Sequence, residues 1–196
     1  GSLDAAQKAS LASTLAQDVA QTAALPSDTY FGGKALYRLA NLLMLADQLG
    51  DTAAAKTVGT KLSDALREWT DPTRCKSNAE RCFVYDAKTK GIVGLTPSFG
   101  SDQFNDHNFH YGYFLYAASV AASHDTALRT EISPVMNLLA ADLASSGDSK
   151  YFPDRRGFDA YSGHSWASGY SPFADGNNLE SSSEAVNAWN GLALWS

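Results

Sequence analysis

Two glutamates one helical turn apart are the first residues whose spacing suggests chemistry. Glu180 and Glu184 lie in "GNNLESSSEAVNAW", residues 176–189. On a helix, residues four apart point the same way, and like charges at that spacing cost roughly a few tenths of a kcal/mol. Only 18% of the residues in this chain are charged. The pair is therefore a candidate for a chemical role.

A second candidate stretch is "GSDQFNDHNFHYGYFLYAAS", residues 100–119. If a helix begins near Asn105, then Asp106, His110 and Tyr113 share one stripe, which combines acidic, imidazole and aromatic groups and suits a cleft. The alternative is structural: Asn105 or Asp106 caps the helix, and the histidines satisfy buried polar groups.

A metal site is a further alternative for the same stretch, because Asp106, His107 and His110 could ligate zinc or iron. The HExxH motif is absent from the sequence, however, and His107 does not share a helix face with its neighbour Asp106. We therefore expect neither a metal nor another cofactor.

A third stretch, residues 152–189, mixes flat aromatic rings with polar side chains. Sugar rings stack their CH faces on aromatic rings, and their hydroxyls need several polar partners, so this mixture suits a carbohydrate. The alternative is an ordered loop whose aromatic rings pack onto the core. The residues concerned are Asp159, Tyr161, His164, Trp166, Tyr170, Phe173, Asp175, Asn177 and Asn178.

The elements that must position these residues are mostly helical. Apolar periodicity, N-cap candidates and glycine or proline stops predict helices over about 3–24, 33–49, 51–70, 104–123, 125–145 and 178–195. Short β-prone pieces within 82–99 suggest a hairpin, and 147–179 reads as a long functional loop. We expect an all-α fold, an α/α toroid or bundle. The last helix stops in mid-pattern, so 1–196 is expected to be one helical piece of a larger domain.

Composition excludes several classes of protein. The chain has 196 residues, 44% of them hydrophobic, and a net charge of −6, which describes a globular protein and argues against nucleic acid or an anionic membrane as partner. No apolar run reaches the length of a membrane span. The two cysteines, Cys75 and Cys82, could form a disulfide or remain free thiols, and the sequence leaves both open.

Two of these stretches resemble the signature blocks of glycoside hydrolase family 81, the endo-β-1,3-glucanases. They are "FNDHNFHYGYF" and "FDAYSGHSWASG…FADGNNLESSSEAVNAW", and "GGKALYRLANLLMLADQLGD" resembles the helix that precedes them. The resemblance covers about residues 25–196. It departs from the family pattern at Asn108 and Leu179. It implies part of an (α/α)6 barrel from a larger enzyme that also carries a β-sandwich domain and a small linking domain.

The resemblance also implies roles for three acids. Asp106 matches the general acid of an inverting mechanism, and Glu180 and Glu184 match the family's glutamate pair. Repulsion within such a pair raises one pKa and keeps a base effective near neutral pH. Inversion needs acid and base about 6.5–9.5 Å apart, more than one helical turn provides, so the acid must come from another helix. We favour Glu180 as the base, with Glu184 as the alternative.

The expected partner is a β-1,3-glucan, together with further enzyme domains or a second copy that completes the barrel. The resemblance implies an enzyme that is secreted or associated with the cell wall. A non-catalytic carbohydrate-binding or structural fragment is the alternative function. The predicted substrate-binding residues are His110, Tyr113, Asp159, Tyr161, His164, Trp166 and Asn178.

Overall fold

The computed structural model describes residues 3–77, 80–169, 174 and 176–196, and these residues are mainly helical. The six helices dominate the described residues, which include only two small antiparallel sheets, and this confirms the all-α class. The helices are α1 (Ala5–Ala20), α2 (Thr29–Leu49), α3 (Thr52–Thr70), α4 (His107–His124), α5 (Thr126–Leu143) and α6 (Ser182–Trp195). The strands are β1 (Phe83–Asp86), β2 (Gly91–Gly94), β3 (Phe158–Asp159) and β4 (His164–Ser165). Within the described ranges, none of the helices is long and apolar enough to cross a membrane.

Capping residues explain where α2 begins and ends. The carboxylate of Asp28 accepts hydrogen bonds from the backbone N–H groups of Tyr30 and Phe31, at 2.9 and 2.8 Å. This cap starts α2 at Thr29, four residues before the predicted start at 33. Gly50 ends α2 in the left-handed conformation, as its position predicts. α1 ends at Ala20 rather than at the predicted 24.

Left-handed backbone conformations set the starts of α4 and α6 later than predicted. Phe104 and Asp106 have φ angles of 64° and 58°, so α4 begins at His107 and not at 104. Glu180 has φ of 60°, so α6 begins at Ser182 and not at 178. An L-residue with positive φ cannot belong to a right-handed helix. α5 stops at Leu143 instead of 145, because Ala144 is extended.

Helix α4 forms the centre of the bundle. It packs against α2, α5 and α6, and it is buried on nearly all sides, which is why its sequence is apolar around the whole helix. The rings of Trp69 and Phe114 lie 4.9 Å apart at the core of the bundle. α6 approaches α4 most closely at Gly112, where an added Cβ would lie 2.4 Å from the Cα of Ala188.

A buried carboxylate joins α5 to the segments around the start of α4. Asp142 accepts hydrogen bonds from the backbone N–H of Ile92 at 2.9 Å and pairs with Nδ1 of His107 at 2.6 Å. The guanidinium of Arg156 lies 3.1 Å from the same carboxylate. One side chain therefore holds β2, the first turn of α4 and the segment before β3.

The two cysteines are joined by a disulfide bond between Cys75 and Cys82. It links a short 3-10 turn, Arg74–Ser77, to the residue before β1. β1 pairs with β2 in antiparallel register, with Phe83 opposite Gly94. The structure thus selects the disulfide over the free thiols, and it confirms the hairpin expected within 82–99.

The close approach of α4 and α6 predicts that Gly112→Ala destabilises the fold. The new methyl group would overlap the backbone of Ala188, and such overpacking costs about 1–3 kcal/mol. For a chain of this length, each kcal/mol lowers Tm by about 2–4 °C. Thermal unfolding followed by circular dichroism measures the change.

Gly59→Ala is the matched control, since Gly59 also lies inside a helix. Among the described atoms outside its own helix backbone, the nearest to its added Cβ would be Cδ1 of Leu43, at 3.7 Å. This variant should gain about 0.5–1 kcal/mol from helix propensity. Equal effects of the two substitutions would contradict the close contact between α4 and α6.

Candidate active site

The candidate site is built at the start of α4, where Asp106 occupies the position before the first helical residue. Its left-handed backbone is held by a hydrogen bond from its N–H to the carbonyl of Ala167, at 2.7 Å. Nearby, the N–H of Gly169 donates to the side chain of Asn105 at 2.8 Å. Among the described residues, the Asp106 carboxylate caps no N–H of the helix. The side chain is therefore available to the adjacent cavity.

The pKa of Asp106 is raised well above that of an ordinary aspartate. Burial raises the pKa of Asp106 from an ordinary value of 3.8 to about 7, and the charges of Glu180 and Glu184 act in the same direction. The charge of His107 opposes them without cancelling them. The carboxyl group thus keeps its proton in weakly acidic solution, where an ordinary aspartate has lost it.

Glu180 lines the same cavity as Asp106. The cavity is open and has a volume of about 220 Å³. The Glu180 side chain is exposed, and its left-handed backbone places it between the end of the long loop and the first turn of α6. Two carboxyl groups from different segments therefore share one opening. The other lining residues are Phe99, Asn105, Ala167, Ser168 and Asn178.

Glu184 lies in the first turn of α6 and is held by two tyrosines. Its Oε1 accepts hydrogen bonds from the hydroxyls of Tyr113 at 2.6 Å and Tyr30 at 3.0 Å. Burial acts to raise the pKa of Glu184, but the hydrogen bonds from Tyr113, Ser181 and Tyr30 and the charge of Lys34 outweigh it, so the pKa is lowered. Glu184 is therefore a fixed carboxylate.

The two glutamates do not share a helix face, which corrects the interpretation of their spacing. Glu180 precedes α6, and only Glu184 belongs to it. The predicted like-charge penalty on one helical turn therefore does not arise. Both acids still act on Asp106, since the negative charge of each raises its pKa.

The prediction that His110 contacts substrate is wrong. Its side chain is completely buried, and its Nδ1 lies 2.7 Å from the hydroxyl of Thr29 in α2. Burial lowers the pKa of His110 to about 3, so the ring is neutral. The proposed stripe failed because it assumed that α4 turns this face toward a cleft, whereas α2 covers it.

The same geometry contradicts the metal site proposed for Asp106, His107 and His110. Both ring nitrogens of His107 have partners: Nδ1 pairs with Asp142, and Nε2 lies 2.8 Å from the carbonyl of Ser101. His110 faces Thr29, and Asp106 faces the cavity. The three side chains thus diverge. His107 satisfies buried polar groups with both ring nitrogens, whereas His110, among the described residues, does so through Nδ1 alone.

The remaining predicted binding residues divide between two places. Asn178 lines the cavity, whereas Tyr113 is not among its lining residues and donates its hydroxyl to Glu184. The β3–β4 hairpin carries the others: Trp166 donates its indole N–H to Asp159 at 3.3 Å and packs its ring on His164. Tyr161 at the hairpin turn is fully exposed. Their contacts with substrate stay predictions; Tyr170, Phe173 and Asp175 lie outside the described residues.

Sequence reasoning missed three aromatic residues beside the site, Tyr30, Phe31 and Phe99. The signal in the sequence was an aromatic pair that begins two residues after Asp28, a helix-capping residue, in "SDTYFGG". Phe99 stands in "PSFG", which reads as a β-prone piece but instead forms an irregular turn with φ of 51°. Only the tertiary fold brings the two segments together.

Comparison with known proteins shows the family of the chain. The sequence model described as "Glycosyl hydrolase family 81 C-terminal domain" matches residues 2–196. A glucan endo-1,3-beta-D-glucosidase of Acetivibrio thermocellus is 43% identical over 172 residues, which are 86% of this chain and 22% of that protein. The corresponding enzyme of Thermobifida fusca is 41% identical over the same shares.

A solved structure gives the same relationship. A glycoside hydrolase family 81 protein from Clostridium thermocellum, determined as a glutamate-to-alanine variant, superposes with a TM-score of 0.88 at 38% identity, over 100% of this chain and 27% of that one. The chain thus spans about a quarter or less of these relatives. It belongs to glycosyl hydrolase family 81 and falls within the family's C-terminal domain.

Proposed function

We propose that this chain is one helical part of the catalytic domain of an enzyme that hydrolyses β-1,3-glucan at internal bonds. The observation that carries the proposal is the cavity shared by Asp106 and Glu180. The names of the relatives, glucan endo-1,3-beta-D-glucosidases, support the substrate and the endo action. The longer protein is expected to act outside the cell or at the cell wall; one relative is named a primary septum glucosidase of Schizosaccharomyces pombe.

In this proposal Asp106 is the general acid. It donates its proton to the glycosidic oxygen as the bond between that oxygen and the anomeric carbon breaks. A pKa of about 7 keeps a large share of the Asp106 carboxyl protonated near neutral pH, and most of it in weakly acidic solution. The tight hydrogen bond from its N–H to Ala167 fixes the backbone from which the side chain reaches into the cavity.

Glu180 is the proposed general base. A water molecule attacks the anomeric carbon from the opposite face and transfers a proton to Glu180, and the product has the inverted configuration. Its exposure to the cavity leaves room for that water. Glu184 suits this role less, because two tyrosine hydroxyls occupy one of its oxygens and its lowered pKa makes it a weaker base.

Glu184 then has a positioning role. Its fixed negative charge contributes to the raised pKa of Asp106. The hydroxyls of Tyr30 and Tyr113 link it to α2 and α4, so the start of α6 is held against both helices. The barrel is expected to be completed by further parts of the longer protein or by a second copy.

Removal of either proposed catalytic group should abolish most of the activity of the full-length protein. Asp106→Asn and Glu180→Gln are each expected to lower kcat by about a hundredfold or more, with little change in KM, because both groups act on the transition state. Release of reducing sugar from a soluble β-1,3-glucan measures both parameters. Asp102→Asn, which removes an exposed carboxylate four residues before Asp106, is the matched control and should retain activity.

Azide distinguishes the roles of the acids. A small anion can replace a lost base by attacking the anomeric carbon, so Glu180→Gln should recover activity and yield a glycosyl azide of inverted configuration. Asp106→Asn should not recover. Rescue confined to Glu184→Gln would exchange the roles of the two glutamates, and full activity of Asp106→Asn would refute the proposal.

The raised pKa of Asp106 also predicts a pH-dependent cost in stability. An unfolded aspartate ionises near 3.8, whereas the folded one ionises near 7, so the folded state loses stability as pH rises between these values. Asp106→Asn removes that ionisation. The variant should therefore melt at a higher temperature than the parent at pH 8 and at nearly the same temperature at pH 4.

Thermal melts of this chain at the two pH values make the measurement, with Asp102→Asn as the control for loss of an exposed carboxylate. A gain in Tm that is equal at pH 4 and pH 8 would contradict the raised pKa. It would instead indicate a change in packing at the start of α4.

A further inference from the structure

An exposed group of three aromatic rings lies beside the cavity. The ring centroid of Tyr30 is 5.2 Å from that of Phe31 and 4.9 Å from that of Phe99, and Phe31 and Phe99 are 5.8 Å apart. The side chain of Phe31 is 49% exposed and that of Phe99 57% exposed. We call Phe31 and Phe99 the aromatic platform, with Tyr30 as its support.

Phe99 combines a strained backbone with an exposed ring. Phe99 has φ of 51°, a conformation that is unfavourable for a bulky residue, and Gly100 follows at 72°. The ring remains more than half exposed, so its burial offers little compensation. Strained residues of this kind concentrate where a ligand is bound.

Asp28 holds the two halves of the platform together. The same carboxylate oxygen that caps α2 at Tyr30 and Phe31 accepts a hydrogen bond from the hydroxyl of Ser98, at 2.8 Å. The loop that presents Phe99 is thereby tied to the helix that presents Phe31. The platform is therefore fixed by polar contacts beneath it.

The platform borders the proposed reacting groups directly. Phe99 is one of the residues that line the cavity of Asp106 and Glu180. The ring of Tyr30 supports the platform, while its hydroxyl binds Glu184. A ligand that covers the platform would thus extend into the cavity between the two proposed catalytic carboxyl groups.

We infer that Phe31 and Phe99 form a stacking site for one glucosyl ring of the glucan, next to the bond that is cleaved. A pyranose presents an apolar CH face to an aromatic ring and keeps its hydroxyls at the rim, where Asn178 lies exposed in the same cavity. The identity of the sugar rests on the function proposed above. The alternative occupant is another part of the longer protein, packed over the rings.

Kinetics of the full-length protein test the platform. Phe99→Ala and Phe31→Ala should each raise KM for a soluble β-1,3-glucan roughly tenfold with kcat nearly unchanged, because stacking binds the ground state and the transition state alike. Phe99→Trp should retain the parent KM. Tyr151→Ala, which removes a 54% exposed aromatic ring outside the cavity lining, is the matched control and should behave as the parent.

Two further outcomes separate the possible explanations. If Phe99→Ala and Phe31→Ala both keep the KM of the parent, the inference is overturned. If they also lower Tm, another part of the longer protein packs over the two rings. Binding of a β-1,3-gluco-oligosaccharide to Asp106→Asn, measured by calorimetry with and without Phe99→Ala, tests the platform independently of catalysis. Weaker binding in the double variant supports the platform even if Asp106→Asn proves active and the catalytic assignment falls.

Discussion

The start of the central helix depends on one buried carboxylate. Asp142 in α5 is fully buried, and it is satisfied by the N–H of Ile92, the ring of His107 and the guanidinium of Arg156. A buried carboxylate without partners would cost several kcal/mol, so these contacts are needed for Asp142 to be buried here. They fix the first residue of α4 and, with it, the neighbouring Asp106.

The close contact between α4 and α6 positions the other two acids relative to Asp106. Because Gly112 lets the backbone at Ala188 approach, α6 lies near enough for the Tyr113 hydroxyl to bind Glu184. Glu180, just before α6, is then brought to the same opening as Asp106. The packing of α4 on α6 thus determines how far apart these side chains lie, although they are more than 70 residues apart in the sequence.

Three acids with the same chemistry acquire different properties from their surroundings. Asp106 is buried near two other carboxyl groups, and its pKa rises to about 7. Glu184 accepts hydrogen bonds from two tyrosine hydroxyls, and its pKa is lowered despite its partial burial. Glu180 faces the open cavity. The local backbone is strained at Asp106 and Glu180, which is typical of functional sites, where the surrounding fold stabilises conformations that a free peptide avoids.

The sequence by itself determined the helical class, most of the helices and the end of α2 at Gly50, because periodicity and capping are local properties. Its motifs also made Asp106, Glu180 and Glu184 candidates for a chemical role. It did not determine where α4 and α6 begin, since residues in the left-handed conformation precede both helices. At α4 that conformation is held by a contact distant in sequence, the hydrogen bond from the Asp106 N–H to the carbonyl of Ala167. A helical stripe points to a cleft only when the start and the neighbours of the helix are known. The burial of His110 under α2, the separate surroundings of the two glutamates and the meeting of Phe31 with Phe99 were therefore decided by the tertiary structure alone.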